Sequence, residues 1–346
     1  MPGLRRTGRQ SSTFHPLAGG PFHSLPRCIG VSRLRITFAF ANTQSLKQGD
    51  PGNNRKSAGW LWFLTGLGFS ILWPSAAVAT KFGLQVAQPF VICITRFFIA
   101  GILMLLIAHG ILRKRLPQKN EWKQLAIYGL LNISLYLGLY VIAMKNVSAG
   151  LGSLAIAVNP VIFSLMNALL FGKRLRIITI TSLILCMGGV LLAAWPLFKN
   201  SYATPGGIAL LLFCMVIYST GMIYFSKQNW EKLHILTING WQTLLGGLFL
   251  LPVAIFTYDK TKNDWGINML APILWLAIPV SIAGVQLWLY LLKDSAEKAS
   301  FWLFLCPVFG FIIASVMTHE PIGIFTVTGM LLTLAGLYLV QKYKSG

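Results

Sequence analysis

Acidic residues are almost missing from this chain. Of its 346 residues only eight are Asp or Glu, against 29 Lys or Arg, and charged residues of both signs make up 11%. Soluble domains carry about 25%. With so few charges a soluble fold could not cover its surface with polar groups, and with 55% hydrophobic residues lipid must be the solvent for most of it. The constellations of catalysis are also absent. No HExxH or GxSxG motif and no paired acids inside an apolar run occur, and the histidines are scattered; a membrane enzyme would need such a set at depth. Cys28, Cys93, Cys186, Cys214 and Cys306 show no CxxC or Cys/His spacing, and four of them fall within apolar runs. They read as small apolar residues at helix contacts. No catalytic residue, metal site or cofactor is therefore expected. The net charge of +21 would suit a nucleic-acid binder, but the cations sit in short clusters between apolar runs, so no nucleic-acid partner is expected.

What the chain does have is a train of apolar runs of about 18–23 residues, the length that spans ~30 Å of hydrocarbon. Helices are expected at Gly59–Ala79, Pro89–Ala108, Leu125–Met144, Gly150–Phe171 and Ile177–Trp195, then at Gly206–Phe225, Ile235–Phe256, Met269–Leu291, Ser300–Met317 and Ile322–Val340. Runs this long and non-alternating can satisfy their backbone in lipid only as helices. The fold class is all-α integral membrane, with ten transmembrane helices. Residues 1–58 differ: rich in Arg, Ser, Gly and Pro, with Asp50 the sole acid, they read as a disordered basic N-terminal segment. A transit peptide and a start assigned too far upstream are competing readings. The best apolar run there, Ile36–Ala41, is too short for a signal-peptide core.

Lys and Arg fix an expected orientation. Fourteen lie in one set of connections and the C-terminal tail, among them Arg113, Lys114, Arg115, Lys173, Arg174 and Lys232; five, including Lys81, Lys145 and Lys260, lie in the other. The positive-inside rule then puts both termini in the cytoplasm and requires an even number of spans.

The chain also repeats itself. Ala149–Leu175 and Ala296–Ile322 each run from a small-residue entry through an apolar stretch with a Pro-Val pair to a polar break, and Pro160 and Pro307 stand at an offset of 147 (307 − 160). Trp73 aligns with Tyr218, and Arg96-Phe97 with Trp241-Gln242, at an offset of 145. Such an offset spans five helices. Five is odd, so the second copy enters the membrane from the opposite side, an inverted repeat suited to alternating access. The domains expected are 59–196 and 204–342.

These features resemble the EamA-like permeases of the drug/metabolite transporter superfamily. Carrying the resemblance are Trp73, Arg96-Phe97, the Ala/Ser-rich entries to helices four and nine, Pro160 and Pro307, the run Trp241-Gln242-Thr243-Leu244-Leu245-Gly246-Gly247, and Glu320, near where members often have Gly-Glu. In the first copy Gly172 is followed by Lys173, which departs from that pattern. The resemblance implies a multi-pass permease of the cell (inner or plasma) membrane, moving small metabolites such as amino acids or related solutes.

Several residues could meet a substrate. Arg96 is the only charged residue well inside an expected helix; it suits an anionic group, or it snorkels to an interface. Asn159 precedes Pro160, and a proline frees the carbonyl four residues earlier, here Ile156; Pro307 would do the same for Leu303. Either proline could equally be a packing kink. Further candidates are Asn132, Tyr136 and Tyr140, Tyr218 and Ser219, Asn239, Trp241 and Gln242, and Gln286, with Trp73, Trp288 and Trp302 as walls. No Asp or Glu lies inside an expected helix, which disfavours coupling through a buried carboxylate. The partners expected are a small-molecule substrate and the bilayer, the protein being a monomer or homodimer. A non-transporting receptor or scaffold and a flippase of lipid-linked substrates are the alternatives.

Overall fold

The computed structural model describes residues 51–170, 177–199, 202–230, 233–294 and 296–342. The basic segment up to Asp50, Gly172 with the Lys173–Arg176 cluster, and Lys232 lie outside them. The described residues are helical with no strand. Helices α1 (Trp60–Val86), α2 (Pro89–Ile111), α3 (Lys119–Met144), α4 (Ala149–Leu170), α5 (Ile177–Phe198), α6 (Pro205–Lys227), α7 (Ile235–Thr257), α8 (Ile267–Trp288) and α10 (Ile324–Lys342) are long and apolar enough to cross a membrane; the apolar part of α9 (Ala296–Thr318), from Trp302, is shorter. Pro89, Pro205 and the Ser148 and Thr204 N-caps mark helix starts, where an absent N–H costs nothing and a hydroxyl can accept from the first turn.

The helix containing α1 runs Pro51–Val86, longer at both ends than expected. Lys81, expected in a connection, therefore sits on α1, half-buried.

Three helix pairs cross between the halves. In α5 and α10, a Cβ on Gly189 would run into the Gly329 carbonyl and Thr333, and one on Gly336 into the Ser182 carbonyl and Cys186. The Cys186 thiol and the Thr333 hydroxyl each reach the other's carbonyl, at 3.4 and 3.5 Å. Each of these residues faces the counterpart of its neighbour: 329 − 182, 333 − 186 and 336 − 189 are all 147. This is an isologous contact within one chain, built on small residues that let backbones approach. In the same antiparallel sense Gly101 and Gly247 of one pair meet Leu244 and Phe97, joining α2 to α7, while Gly150 and Gly310 meet Phe311 and Ser153, joining α4 to α9.

Two departures from regular helix also come in register. α3 carries a π-helical stretch at Leu130–Leu137 and α8 one at Leu276–Gly284, and their starts match to within one position of the repeat. Such stretches are rare and frequent at functional sites. The symmetry stops at the prolines. α4 breaks: Ala149–Ile156 is helical, Ala157 and Val158 form a turn, and helix resumes at Asn159. The Ala157 and Val158 amides donate to Leu154 and Ala155, at 3.0 Å each. Pro160 thus sits in the first turn of a new helical segment and not inside the continuous helix expected over Gly150–Phe171, whereas Pro307 lies inside an unbroken α9.

Candidate functional site

The polar residues of these apolar helices converge between α2, α3, α4, α6, α7 and α8. Arg96 of α2 is 7% exposed and turns inward. Its Nε and Nη2 donate to the Ser281 hydroxyl at 3.2 and 3.1 Å, and that hydroxyl donates to the Leu276 carbonyl at 2.8 Å, within the π-helical stretch of α8. Among the described residues no carboxylate pairs with Arg96. Ser281 has a counterpart in the first copy, at the same offset as the two prolines. This is Ser134, in the π-helical stretch of α3, which donates to the Gly246 carbonyl of α7 at 2.7 Å. The two hydroxyls tie α8 to α2 and α3 to α7.

Phenols pack against the same helix. Tyr136 and Tyr140 belong to one buried cluster with Cys93 and Phe97 of α2. The Tyr136 ring is 6.1 Å from that of Tyr140 and 4.9 Å from that of Tyr218. Gly152 of α4 makes room for the Tyr140 hydroxyl, which is buried without a hydrogen-bond partner, as are Asn159 Oδ1, Ser219 Oγ and Gln286 Nε2. A buried polar atom left unpaired costs about 1–3 kcal/mol. The Tyr140 hydroxyl, in the buried cluster that also holds Cys93 and Phe97 on either side of Arg96 in the sequence, belongs to a surface that lacks its complement. Asn132 Nδ2 donates to Gln242 Oε1 at 3.4 Å and Gln242 Nε2 to Asn239 Oδ1 at 2.8 Å, while Asn132 Oδ1 and Asn239 Nδ2 remain unpaired.

The tryptophans lie elsewhere. Trp73 and Trp288 flank Phe69 at 5.6 and 5.0 Å, and with Trp302 they form a packed cluster of α1, α8 and α9. Trp241 is at the Lys-rich end: its indole N–H donates to His109 Nε2 at 3.1 Å and its ring meets Trp122 edge-on at 4.6 Å. His109 is thirteen residues beyond Arg96, about 20 Å along the helix at 1.5 Å per residue. The structure does not bring Trp241 to Arg96. Pro307, with its neighbour Cys306 bonded back to the Trp302 carbonyl at 3.5 Å, stays within α9.

Glu320 has a defined task. It is 5% exposed and accepts from the Ala149 and Gly150 amides at 2.6 and 2.9 Å, capping α4 from the α9–α10 connection. The turn that aims it passes through His319 at φ 54°. Lys81, Gln85, Lys145, Ser148, Tyr202 and Thr318 complete a crevice of about 190 Å³ beside it. No group of three or more His, Cys, Asp or Glu able to hold a metal occurs among the described residues.

The family model of the EamA-like transporter family matches residues 60–195 and again 205–341. The chain belongs to that family. The starts of the two EamA matches, 60 and 205, are offset just as Trp73 and Arg96 are from their counterparts. Similar proteins include an uncharacterized transporter of Archaeoglobus fulgidus, 28% identical over 277 residues that cover 79% of this chain and 95% of the relative. A WAT1-related chloroplastic protein of Arabidopsis thaliana is 28% identical over 283 residues, 78% of this chain and 66% of that one. Protein PecM of Dickeya dadantii is 25% identical over 275 residues, 78% and 89%. A crystal structure matches with a TM-score of 0.56 at 19% identity, covering 82% of this chain and 98% of the other; at that identity it speaks to the fold alone. The chain is a multi-pass membrane protein of a transporter family.

Proposed function

We propose that this chain is an alternating-access carrier that moves a small metabolite with an anionic group, such as an amino-acid-related solute, across the cell membrane. Ten spans form two inverted five-helix units, 59–196 and 204–342, with both termini in the cytoplasm. The single observation that carries the reading is Arg96, buried at 7% exposure and held by a serine hydroxyl, with no carboxylate partner among the described residues. An intramembrane cation is expensive to leave unpaired, and a solute carboxylate would complete it as the solute enters and release it as the solute leaves. Tyr136, Tyr140, Asn159, Tyr218 and Gln286 supply the remaining contacts. The break in α4 supports the same reading, because discontinuous helices recur at carrier sites. Trp73, Trp241 and Pro307 are not part of this site. With no carboxylate beside Arg96 among the described residues, exchange or facilitated movement fits better than proton coupling through an acid.

The test is uptake of carboxylated solutes into proteoliposomes. Loss of charge-assisted hydrogen bonds of ~1.5–3 kcal/mol corresponds to a 10- to 100-fold loss of apparent affinity, so Arg96→Ala should lose at least that much. Arg96→Lys, which cannot reproduce the planar fork, should recover little. Unchanged transport by a normally inserted Arg96→Ala protein would sink the proposal.

A further inference from the structure

The amide chain beside the Arg96 site has a property that does not depend on how its amides are oriented. Asn132, Gln242 and Asn239 form two links in a row, and their outer atoms, Asn132 Oδ1 and Asn239 Nδ2, are buried and unpaired. Each primary amide offers an acceptor on one atom and donors on the other. Turning all three amides over reverses every link, yet again leaves one acceptor and one donor at the ends. The site therefore lacks two different partners at once, and Gln242, 4% exposed, is fixed by its neighbours.

We propose that the solute carries, besides its anionic group, an amide-type edge: an N–H donor and a C=O acceptor on adjacent atoms, as in a carboxamide or lactam. This rests on the transport reading above and adds to it the second half of the solute. Placement supports a single molecule reaching both ends. Phe97, next to Arg96, lies against Gly247 of α7, and Asn239, which carries the outer donor, is eight residues along that helix, about 12 Å at 1.5 Å per residue. On α3, Asn132 lies four residues before Tyr136, inside the same π-helical stretch, and Tyr136 packs in one buried cluster with Cys93 and Phe97 of α2. Gly221 of α6 lies beside Asn132. The Tyr136 and Tyr218 rings meet on this side, 4.9 Å apart, and a flat body joining the two ends suits ring faces. A donor-only group would leave Asn239 facing a like donor, and an acceptor-only group would leave Asn132 facing a like acceptor. A site built to hydrogen-bond a group rejects analogues that lack it, because its own buried atoms are then left unpaired.

The experiment measures binding of four rigid probes to the full chain in lipid nanodiscs: benzoate, 4-carbamoylbenzoate, the monomethyl ester of terephthalic acid, and 4-amidinobenzoate. They share the anion and differ at the far end, which is respectively empty, donor and acceptor, acceptor only, and donor only. The expected result is that 4-carbamoylbenzoate binds at least tenfold tighter than each of the other three. Asn132→Leu and Asn239→Leu, taken as alternatives in case one fails to fold, should each bring the carbamoylbenzoate-to-benzoate affinity ratio close to one. The inference is overturned if the carbamoyl probe is no tighter than the ester or the amidine, or if its advantage survives both substitutions. Benzoate binding that depends on Arg96 but shows no amide preference removes this inference and leaves the transport reading standing. If none of the four binds, both fall.

Discussion

Arg96 and Glu320 are the two buried charges that matter most here, and they are satisfied in opposite ways. Glu320 is complete within the chain: both carboxylate oxygens accept from backbone amides at the start of α4, where the helix dipole also favours an anion. Replacing it with Ala strips the cap from Ala149 and Gly150 and should cost about 1–2 kcal/mol of stability. Glu320→Gln should fall between, since its amide nitrogen has to face one of the two N–H groups. Thermal unfolding in detergent would measure this, and equal stability of all three proteins would remove the capping role. Arg96 is incomplete: a neutral hydroxyl cannot balance a guanidinium. That difference in completeness separates a structural charge from a functional one. The sequence made Arg96 legible because one cation in an apolar run stands out. There was no comparable signal for Ser281, since a serine in a transmembrane helix usually bonds its own backbone; only its repeat relation to Ser134 could have singled it out. Trp241 misled for a related reason. An indole looks the same in sequence whether it walls a cavity or anchors an interface. Its place near the Lys-rich start of α7 was the available clue.

At the scale of elements, hydropathy was sufficient for the helices, because a run that must span hydrocarbon has little freedom in length. The irregularities were not legible. A π-helical stretch has no residue signature, and whether a proline kinks a helix or starts a new segment depends on the packing of its neighbours. The one local difference is that Asn159, whose pairing with a following proline favours turn initiation, precedes Pro160, whereas Cys306 precedes Pro307. The α5–α10 crossing, by contrast, follows from the repeat once its offset is known. Gly189 and Gly336 occupy equivalent places in it, and a Cβ at either would meet backbone of the facing helix. Gly189→Val and Gly336→Val should therefore destabilise the protein by similar amounts, about 1–3 kcal/mol each. The double variant should cost less than the sum, because the first substitution already forces the helices apart. Thermal unfolding of the three proteins checks it; a tolerated Gly336→Val beside a damaging Gly189→Val would show that the crossing is not equivalent on its two sides.

For the whole molecule, the question is how many times the chain crosses. α4 and α9 run antiparallel, as do α2 and α7 and α5 and α10. A helix and the one five places later point in opposite directions when the four helices between them all span, since each crossing reverses the chain. α9 is the helix in doubt by composition, since Glu297 and Lys298 stand in its first turn. Its full 23 residues still extend about 35 Å at 1.5 Å per residue, more than the ~30 Å of a hydrocarbon core. If α9 crosses, both termini share a side, and the Lys-rich connections put that side in the cytoplasm. Single cysteines in a cysteine-free background, at Asn120, Thr261 and Gln341, separate the outcomes. With an impermeant maleimide, Asn120 and Gln341 should label only from the cytoplasmic face and Thr261 only from the outer face. Labelling of Gln341 from the outer face would mean an odd number of spans. The inverted pairing, and with it the alternating-access geometry around Arg96, would then have to be abandoned.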